Sequence, residues 1–152
     1  WLPMKGMLPS EVFFLKPNPD ITLTSPSSAQ IPVTVGGYQV SDKGLYIDSG
    51  RGFTVSSVIK PDFVAPAVNV QGVGVRDNYV TASGTSVAAA VTAGACAQIM
   101  EWGIYRQENL ALNSVEIGNL LIHGCDRSRD LVYPNTAWGY GRLDAYQAIL
   151  AL

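Results

Sequence analysis

One long stretch of small and apolar residues constrains the fold more than any other part of the sequence. Over residues 87–102, apolar side chains surround nearly the whole circumference of a helix. A helix that is apolar on every face is typical of a protein interior, where neighbouring elements cover it. We therefore predict a central buried helix over these residues, ended by Gly103.

A Ser-Gly-Thr-Ser segment at 83–86 lies directly before this helix and follows a strand-like run at 79–82. Ser86 occupies the point where the helix is predicted to begin, next to unpaired backbone N–H groups and the positive end of the helix dipole. A hydroxyl in this position could attack a carbonyl and leave the oxyanion among backbone donors. Serine is also a favoured N-cap, and caps far outnumber nucleophiles, so the spacing alone leaves both interpretations open.

The composition narrows the classes of protein that fit. The chain of 152 residues can bury a real core, and its 47% hydrophobic and 14% charged residues indicate a large buried fraction or a surface for another segment. A net charge of −2 with scattered basic residues argues against a nucleic-acid partner. No stretch of about 18 apolar residues runs without polar interruption, so we expect no membrane span. Cys96 and Cys125 are too few for a disulfide scaffold or a zinc site.

The first part of the chain, residues 1–28, differs from the rest. Its five prolines disrupt helices, and residues 11–15 form its one candidate strand. We interpret residues 1–28 as the tail of a preceding module plus a connector. Because the chain begins with Trp1 rather than an initiator Met, we also expect it to be a piece of a longer protein.

Residues 29–152 show a regular succession of elements. Strands are predicted at 31–35, 44–48 and 63–65, and a hairpin of extended segments returns at 79–82. Glycines at 36 and 37 are predicted to end the first of these strands in a turn. Two further helices are predicted, one after the capping-box pair Asn113 and Glu116 and one from Asp144. Strands followed by helices, with some alternation, predict an α/β layered domain.

Four segments of this sequence resemble landmarks of the subtilisin-like serine proteases, the subtilases. They occur in that family's order, and together they cover residues 29–152. They are the strand 31–37, the Lys-Pro-Asp segment 59–66, the Gly-Thr-Ser-Val-Ala nucleophile motif 84–88 and the closing segment 138–145. The resemblance implies the C-terminal half of a three-layer α/β fold, with a mostly parallel sheet and a buried central helix starting at the nucleophile.

The resemblance also implies an activity and site residues. Ser86 would be the nucleophile of a serine endopeptidase that hydrolyses polypeptides through an acyl-enzyme, and its backbone N–H would be one oxyanion donor. Thr85 and Gly84 would line the cleft, with the Thr85 hydroxyl as a further helper. Two departures from the family pattern are Ala90, where proline is usual, and Ala67, where glycine is usual.

The rest of the catalytic machinery is not expected in this chain. Subtilases place their catalytic Asp and His, and the Asn of the oxyanion hole, before the serine. The single histidine, His123, follows Ser86 and is interpreted as structural, and neither Asp62 nor Asp48 is assigned as the triad acid. We therefore expect this chain alone to be inactive, and to act when joined to an N-terminal part that carries Asp and His.

Within the subtilases, the sequence most resembles the clostridial-type branch that includes the Csp proteases of spore germination. Those proteins carry a β-rich insertion, and residues 1–28 resemble the end of such an insertion. The branch implies a bacterial protein with an extracellular or spore-associated location. Calcium sites occur in subtilases, but no acidic loop here carries one over, so no cofactor is expected for this chain.

Two other functions remain open from the sequence. A pseudoprotease would keep the subtilase fold for sensing or binding, and the upstream Asp and His would decide between it and an enzyme. A Ser-capped α/β binding module is the other alternative, against which the four ordered landmarks argue. An unpaired strand edge and apolar helix faces also predict self-association of this chain.

Overall fold

A long helix packed on a short pair of parallel strands forms the centre of the structure. The structure is a computed structural model, and it describes residues 7–105 and 112–151. Its strands are β1 (Val35–Tyr38), β2 (Phe63–Pro66), β3 (Val70–Val73) and β4 (Tyr79–Ala82). Its helices are α1 (Thr85–Tyr105), α2 (Ser114–Gly124) and α3 (Ala145–Leu150).

Strands β1 and β2 pair in parallel, with Val35 opposite Phe63 and Gly37 opposite Ala65. The predicted end of the first strand at Gly36 and Gly37 is wrong, because the ladder runs through both glycines. A Cβ on Gly37 would collide with the Cβ of Ala67. The two glycines therefore allow close packing of the sheet rather than a turn.

Two other predicted strands are absent from the described residues. Within the segment 44–48, only Leu45 forms an isolated bridge, with Tyr38. Residues 11–15 form no strand. The predicted strand at 63–65 is confirmed, since β2 covers this short apolar run. Its signal in the sequence is local, because prolines bound the run on both sides.

Strands β3 and β4 form the predicted antiparallel hairpin, with Val70 opposite Ala82 and Val73 opposite Tyr79. This hairpin is a separate two-stranded sheet and does not extend the parallel pair. Its turn places Arg76 and Asp77 at φ 60° and 53°. Within the described residues, the mostly parallel sheet expected from the resemblance is represented by β1 and β2 and by an isolated parallel bridge between Val64 and Arg142.

Helix α1 is longer and less buried than the sequence predicts. It begins at Thr85 and passes through Gly103 to Tyr105, so Gly103 is not its end. A Cβ on Gly103 would lie 2.9 Å from Leu112 Cδ1, which makes this glycine a packing position. One stripe of the helix is buried and the opposite face is exposed. The buried stripe consists of Ala88, Thr92, Ala95, Ile99 and Gly103.

The main core joins one strand and all three helices. Phe63 of β2 packs with Ala95 and Ile99 of α1, and α2 and α3 close the cluster from the other side. The core members from α2 and α3 and the residue after α2 are Ile117, Leu121, Cys125 and Ala148.

The predicted capping box at the start of α2 is confirmed, because Asn113 Oδ1 accepts from the backbone N–H of Val115 and Glu116.

The described part of the N-terminal segment lies across the loop before β2. The backbone N–H of Thr22 donates to Arg51 O at 2.8 Å, and that of Ile21 donates to Gly52 O at 3.4 Å. The apolar side chains of residues 12–15 are exposed. Residues 1–6, which include Pro3, lie outside the described part.

The described residues contain one helix, α1, that is long and apolar enough to cross a membrane. Core helices of soluble proteins meet the same criterion of length and composition, so this is weak evidence for a span. The contacts that α1 makes with β1 and β2 place its buried stripe on the sheet.

Candidate active site

Ser86 lies in the first turn of α1, and its side chain is exposed. The carbonyl of Gly84 accepts the first helical hydrogen bonds, from Val87 N at 3.0 Å and Ala88 N at 3.3 Å. Gly84 therefore occupies the capping position, with φ +147°. The helix begins one residue before Ser86, and the alternative that Ser86 is only an N-cap is not supported.

The start of α1 is electrostatically suited to hold an anion. The first backbone N–H groups of a helix have no acceptor within it, and the dipole adds partial positive charge there. The first turn of α1 carries no acidic side chain that would compete for these donors. An oxyanion formed at Ser86 would meet donors of this kind.

The turn that carries Ser86 is attached to the end of β2. Gly84 N donates to Ala67 O at 2.8 Å, and Ala67 N donates to Tyr38 O at 2.9 Å. Ala88 is fully buried in a small cluster with Ala65 and Ala67. The sheet therefore fixes both the turn and the first turn of the helix.

A cavity of about 560 Å³ opens beside Thr85. Its other walls come from the described N-terminal segment, the strand β1 and the loop at 47–51, which includes Asp48 and Arg51. Sequence reasoning placed Thr85 in a cleft but missed these walls. They come from segments far apart in the chain, and no local pattern in the sequence marks them.

Hydroxyl groups hold the walls of this cavity in place. Thr34 Oγ1 donates to Ser27 O at 2.8 Å, and the buried Ser49 Oγ accepts from Gly37 N at 3.0 Å. Thr22 Oγ1 accepts from Arg51 N at 2.9 Å. These side chains are engaged with backbone groups, so they shape the cavity.

Asp62 is part of a structural network. Its Oδ2 accepts from Lys60 Nζ at 2.7 Å and from Thr34 N at 2.6 Å. Lys60 Nζ also donates to Pro32 O at 2.7 Å. This arrangement gives Asp62 the role of holding the start of β2 against the segment before β1.

Asp48 and His123 lie in different surroundings. Asp48 is exposed, accepts from the Tyr46 hydroxyl at 3.0 Å and lines the same cavity as Thr85. His123 lies in the last turn of α2 and lines a polar depression with Asp126 and Asp144. Neither Ser86 nor Thr85 lines that depression.

The two cysteines are not alternative nucleophiles of this site. Burial raises the pKa of the Cys125 thiol to about 12, and burial also raises the pKa of Cys96. Both thiols are therefore neutral near pH 7, and the thiolate is the reactive form. In residues 7–105 and 112–151, no group of three or more His, Cys, Asp and Glu residues is placed to hold a metal ion.

Comparisons with known proteins agree on one family. A sequence model of the subtilase family, peptidase S8, matches residues 15–141. The serine protease AprX of Bacillus subtilis is 30% identical over 148 aligned positions, which cover 84% of this chain and 32% of AprX. The family match includes Ser86 and the segments 31–37, 59–66 and 84–88, and it ends inside the closing segment 138–145.

Two solved structures resemble this chain in fold. The structure of the Clostridium perfringens CspB protease matches with a TM-score of 0.83 and 35% identity, over 90% of this chain and 30% of CspB. The prenylagaramide maturation protease PagA matches with a TM-score of 0.72 and 21% identity, over 88% of this chain and 47% of PagA, and supports the fold alone.

The chain spans about a third of the length of AprX and of CspB, 32% and 30% respectively. Both are bacterial proteins. The family model covers well over half of this chain, and the α/β architecture with parallel strands and a long helix agrees with the matched structures. The chain belongs to the subtilase family, peptidase family S8.

Proposed function

We propose that Ser86 is the nucleophile of a serine endopeptidase, and that this chain is the C-terminal portion of its catalytic domain. One observation carries the proposal. Ser86 is exposed in the first turn of α1, directly after a residue that lines the cavity, and it lies in the part that the family model matches. A structural cap would not require this exposure.

The reaction would proceed by acyl transfer to Ser86. The hydroxyl attacks a peptide carbonyl, its proton passes to a histidine, and the amine leaves with a proton from that histidine. Water then hydrolyses the acyl-enzyme. The backbone N–H of Ser86 is one oxyanion donor, and Gly84 and Thr85 form the adjacent wall of the cleft.

The histidine and the aspartate of this reaction would come from an N-terminal part of the protein. His123 lies at the far end of α2, and Asp62 is engaged by Lys60 and Thr34. The chain alone is therefore inactive in this proposal. AprX and CspB are named as proteases, which supports a polypeptide substrate for the complete protein.

The division of the chain into two parts belongs to the same proposal. Residues 1–28 are the tail of a β-rich insertion and its connector, and residues 29–152 are the C-terminal portion of a three-layer catalytic domain. The family model begins at residue 15, inside the proposed connector. An extracellular or spore-associated location, implied by the resemblance to the Csp branch, also belongs to the proposal.

The test is labelling of the full-length protein with a serine-directed fluorophosphonate, followed by mass spectrometry of the modified peptide. We expect one adduct, on Ser86, and none on the variant Ser86→Ala. Ser41→Ala is the matched control, because Ser41 is also exposed and its hydroxyl accepts a hydrogen bond from the Gln39 side chain at 2.7 Å. An unlabelled parent protein would overturn the enzyme proposal and leave a pseudoprotease that senses or binds.

A further inference from the structure

We propose that Ser83 is a positioning residue for Ser86, and that its side-chain hydroxyl sets where the turn carrying the nucleophile leaves the hairpin. This inference rests on the proposed role of Ser86. The observation behind it is a hydrogen bond of 2.9 Å from Asn69 N to Ser83 Oγ, which joins residues 14 apart in the chain.

The bond takes the place of a rung in the hairpin ladder. Strands β3 and β4 pair as far as Val70 opposite Ala82, so Asn69 would next face Ser83. Asn69 instead lies at φ 53°, in the left-handed region that asparagine tolerates, and it donates to the side chain of Ser83. The hydroxyl thus closes the hairpin while the backbone of Ser83 is free to turn away.

The next residue fixes the turn from the other side. Gly84 N donates to Ala67 O at 2.8 Å, and the Gly84 carbonyl starts α1. Two adjacent residues, Ser83 and Gly84, are therefore held to two positions in the segment between β2 and β3, Asn69 and Ala67. Ser86 follows two residues later, so a displaced Ser83–Gly84 peptide displaces the nucleophile.

Removal of the hydroxyl leaves the Asn69 N–H without its partner. The backbone of Ser83 can then continue the ladder opposite Asn69 and draw the Gly84 turn toward the hairpin. The rate of a reaction between oriented groups depends strongly on their geometry, and a misplacement of about 1 Å can lower the rate about 100-fold. Stability should change little, because Ser83 is exposed and a single exposed hydrogen bond contributes little to the net free energy of folding.

The experiment measures fluorophosphonate inactivation of the full-length protein over a range of reagent concentrations, which separates the reagent's binding constant from the first-order rate constant of labelling. For Ser83→Ala we expect the rate constant to fall about 10- to 100-fold with an unchanged binding constant. Ser83→Thr keeps the hydroxyl and should restore the rate. Thr81→Ala is the matched control, since it removes a hydroxyl two residues earlier on the exposed β4 strand.

Amide hydrogen exchange gives a readout that does not depend on activity. Faster exchange at Asn69 and Gly84 in Ser83→Ala, with an unchanged Tm, would support the inference. Equal labelling rates in the parent and Ser83→Ala would overturn it while leaving the proposed function intact. So would a loss of rate that Ser83→Thr fails to restore. An unlabelled parent would overturn both.

Discussion

Lys60 and Asp62 form an ion pair that is nearly closed to solvent, with 2.7 Å between Nζ and Oδ2. The Lys60 side chain is 3% exposed and that of Asp62 is 13% exposed. Pro32 O and Thr34 N complete the arrangement, since the first accepts from the ammonium and the second donates to the carboxylate. The pair therefore joins the start of β2 to the segment that leads into β1.

Replacing Lys60 with Met should destabilise the protein by roughly 3–5 kcal/mol, because it leaves a buried carboxylate without its counter-charge. Chemical unfolding followed by circular dichroism would measure the loss. The double variant Lys60→Met with Asp62→Asn is the control, since asparagine is neutral and can still accept from Thr34 N. We expect the double variant to be more stable than the single one. A Lys60→Met protein as stable as the parent would contradict the role of the pair.

Glycine at 139 should be irreplaceable for a steric reason. Gly139 lies at φ +54°, and a Cβ there would run into the carbonyl oxygens of Pro61 and Asp62. Left-handed strain and overpacking together should cost roughly 3 kcal/mol or more in Gly139→Ala. Gly72→Ala is the matched control, because a Cβ at Gly72 meets nothing within 4 Å. In thermal unfolding, the Tm of Gly139→Ala should be clearly lower than that of Gly72→Ala. Equal Tm values would contradict this prediction.

Local signals in the sequence predicted the elements that are determined by interactions between neighbouring residues. The capping box of Asn113 and Glu116, the apolar run at 63–65 and the start of the last helix near Asp144 each depend on neighbours within a few residues. The prediction at Gly36 and Gly37 failed because the side chains that crowd these glycines are distant in sequence, Ala67 at Gly37 and Ser49 with Val64 at Gly36. A glycine that admits a distant side chain looks, in sequence, like a glycine in a turn.

The candidate site likewise has one part that the local sequence predicted and another that depends on residues distant in sequence. The motif around Ser86 predicted the position of the proposed nucleophile, and the structure adds that Gly84 is the cap. The cavity beside Thr85, the bond between Asn69 and Ser83, and the ammonium of Lys60 at Pro32 O all join segments that are distant in sequence. Apolar composition likewise could not show which face of α1 is covered, because covering depends on what packs there.

Cys125 should make the protein sensitive to alkali. Burial raises the pKa of its thiol from 9.0 to about 12, so between these values the unfolded chain loses a proton that the folded protein retains. Its contribution to stability is complete below pH 9 and falls as the pH rises toward 12, by roughly 1.4 kcal/mol for each pH unit. Urea unfolding at pH 8 and pH 10.5 should show this decline in the parent and a weaker decline in Cys125→Ala.

Alkylation provides an independent check on the same residue. Cys125 is buried and its Sγ donates to Leu121 O at 3.2 Å, whereas Cys96 is only half-buried. Iodoacetamide at pH 8 should therefore modify Cys96 before Cys125 in the folded protein, and both quickly in denaturant. In the urea experiment, an identical dependence of stability on pH for the parent and Cys125→Ala would refute the predicted alkaline effect.

The exposed face of α1 should cause the 152-residue chain to self-associate. Toward its C-terminal end, Met100 is 47% exposed, Ile104 is 74% exposed and Tyr105 is 79% exposed. They border a depression that is almost wholly apolar, with Glu101 as its one charged member among the described residues. Contiguous exposed apolar surface of this kind is typical of sites that another protein surface covers.

Charges placed on this face should therefore oppose association. The double variant Met100→Glu with Ile104→Glu should sediment as a monomer at concentrations where the parent forms larger species, because association would then bury uncompensated carboxylates. Val115→Glu is the matched control, since Val115 is 61% exposed on a different helix, α2, and does not line this depression. Sedimentation velocity would measure all three proteins. A monodisperse monomer for the parent would contradict the prediction, and an equal effect of Val115→Glu would show that net charge, rather than the α1 face, controls association.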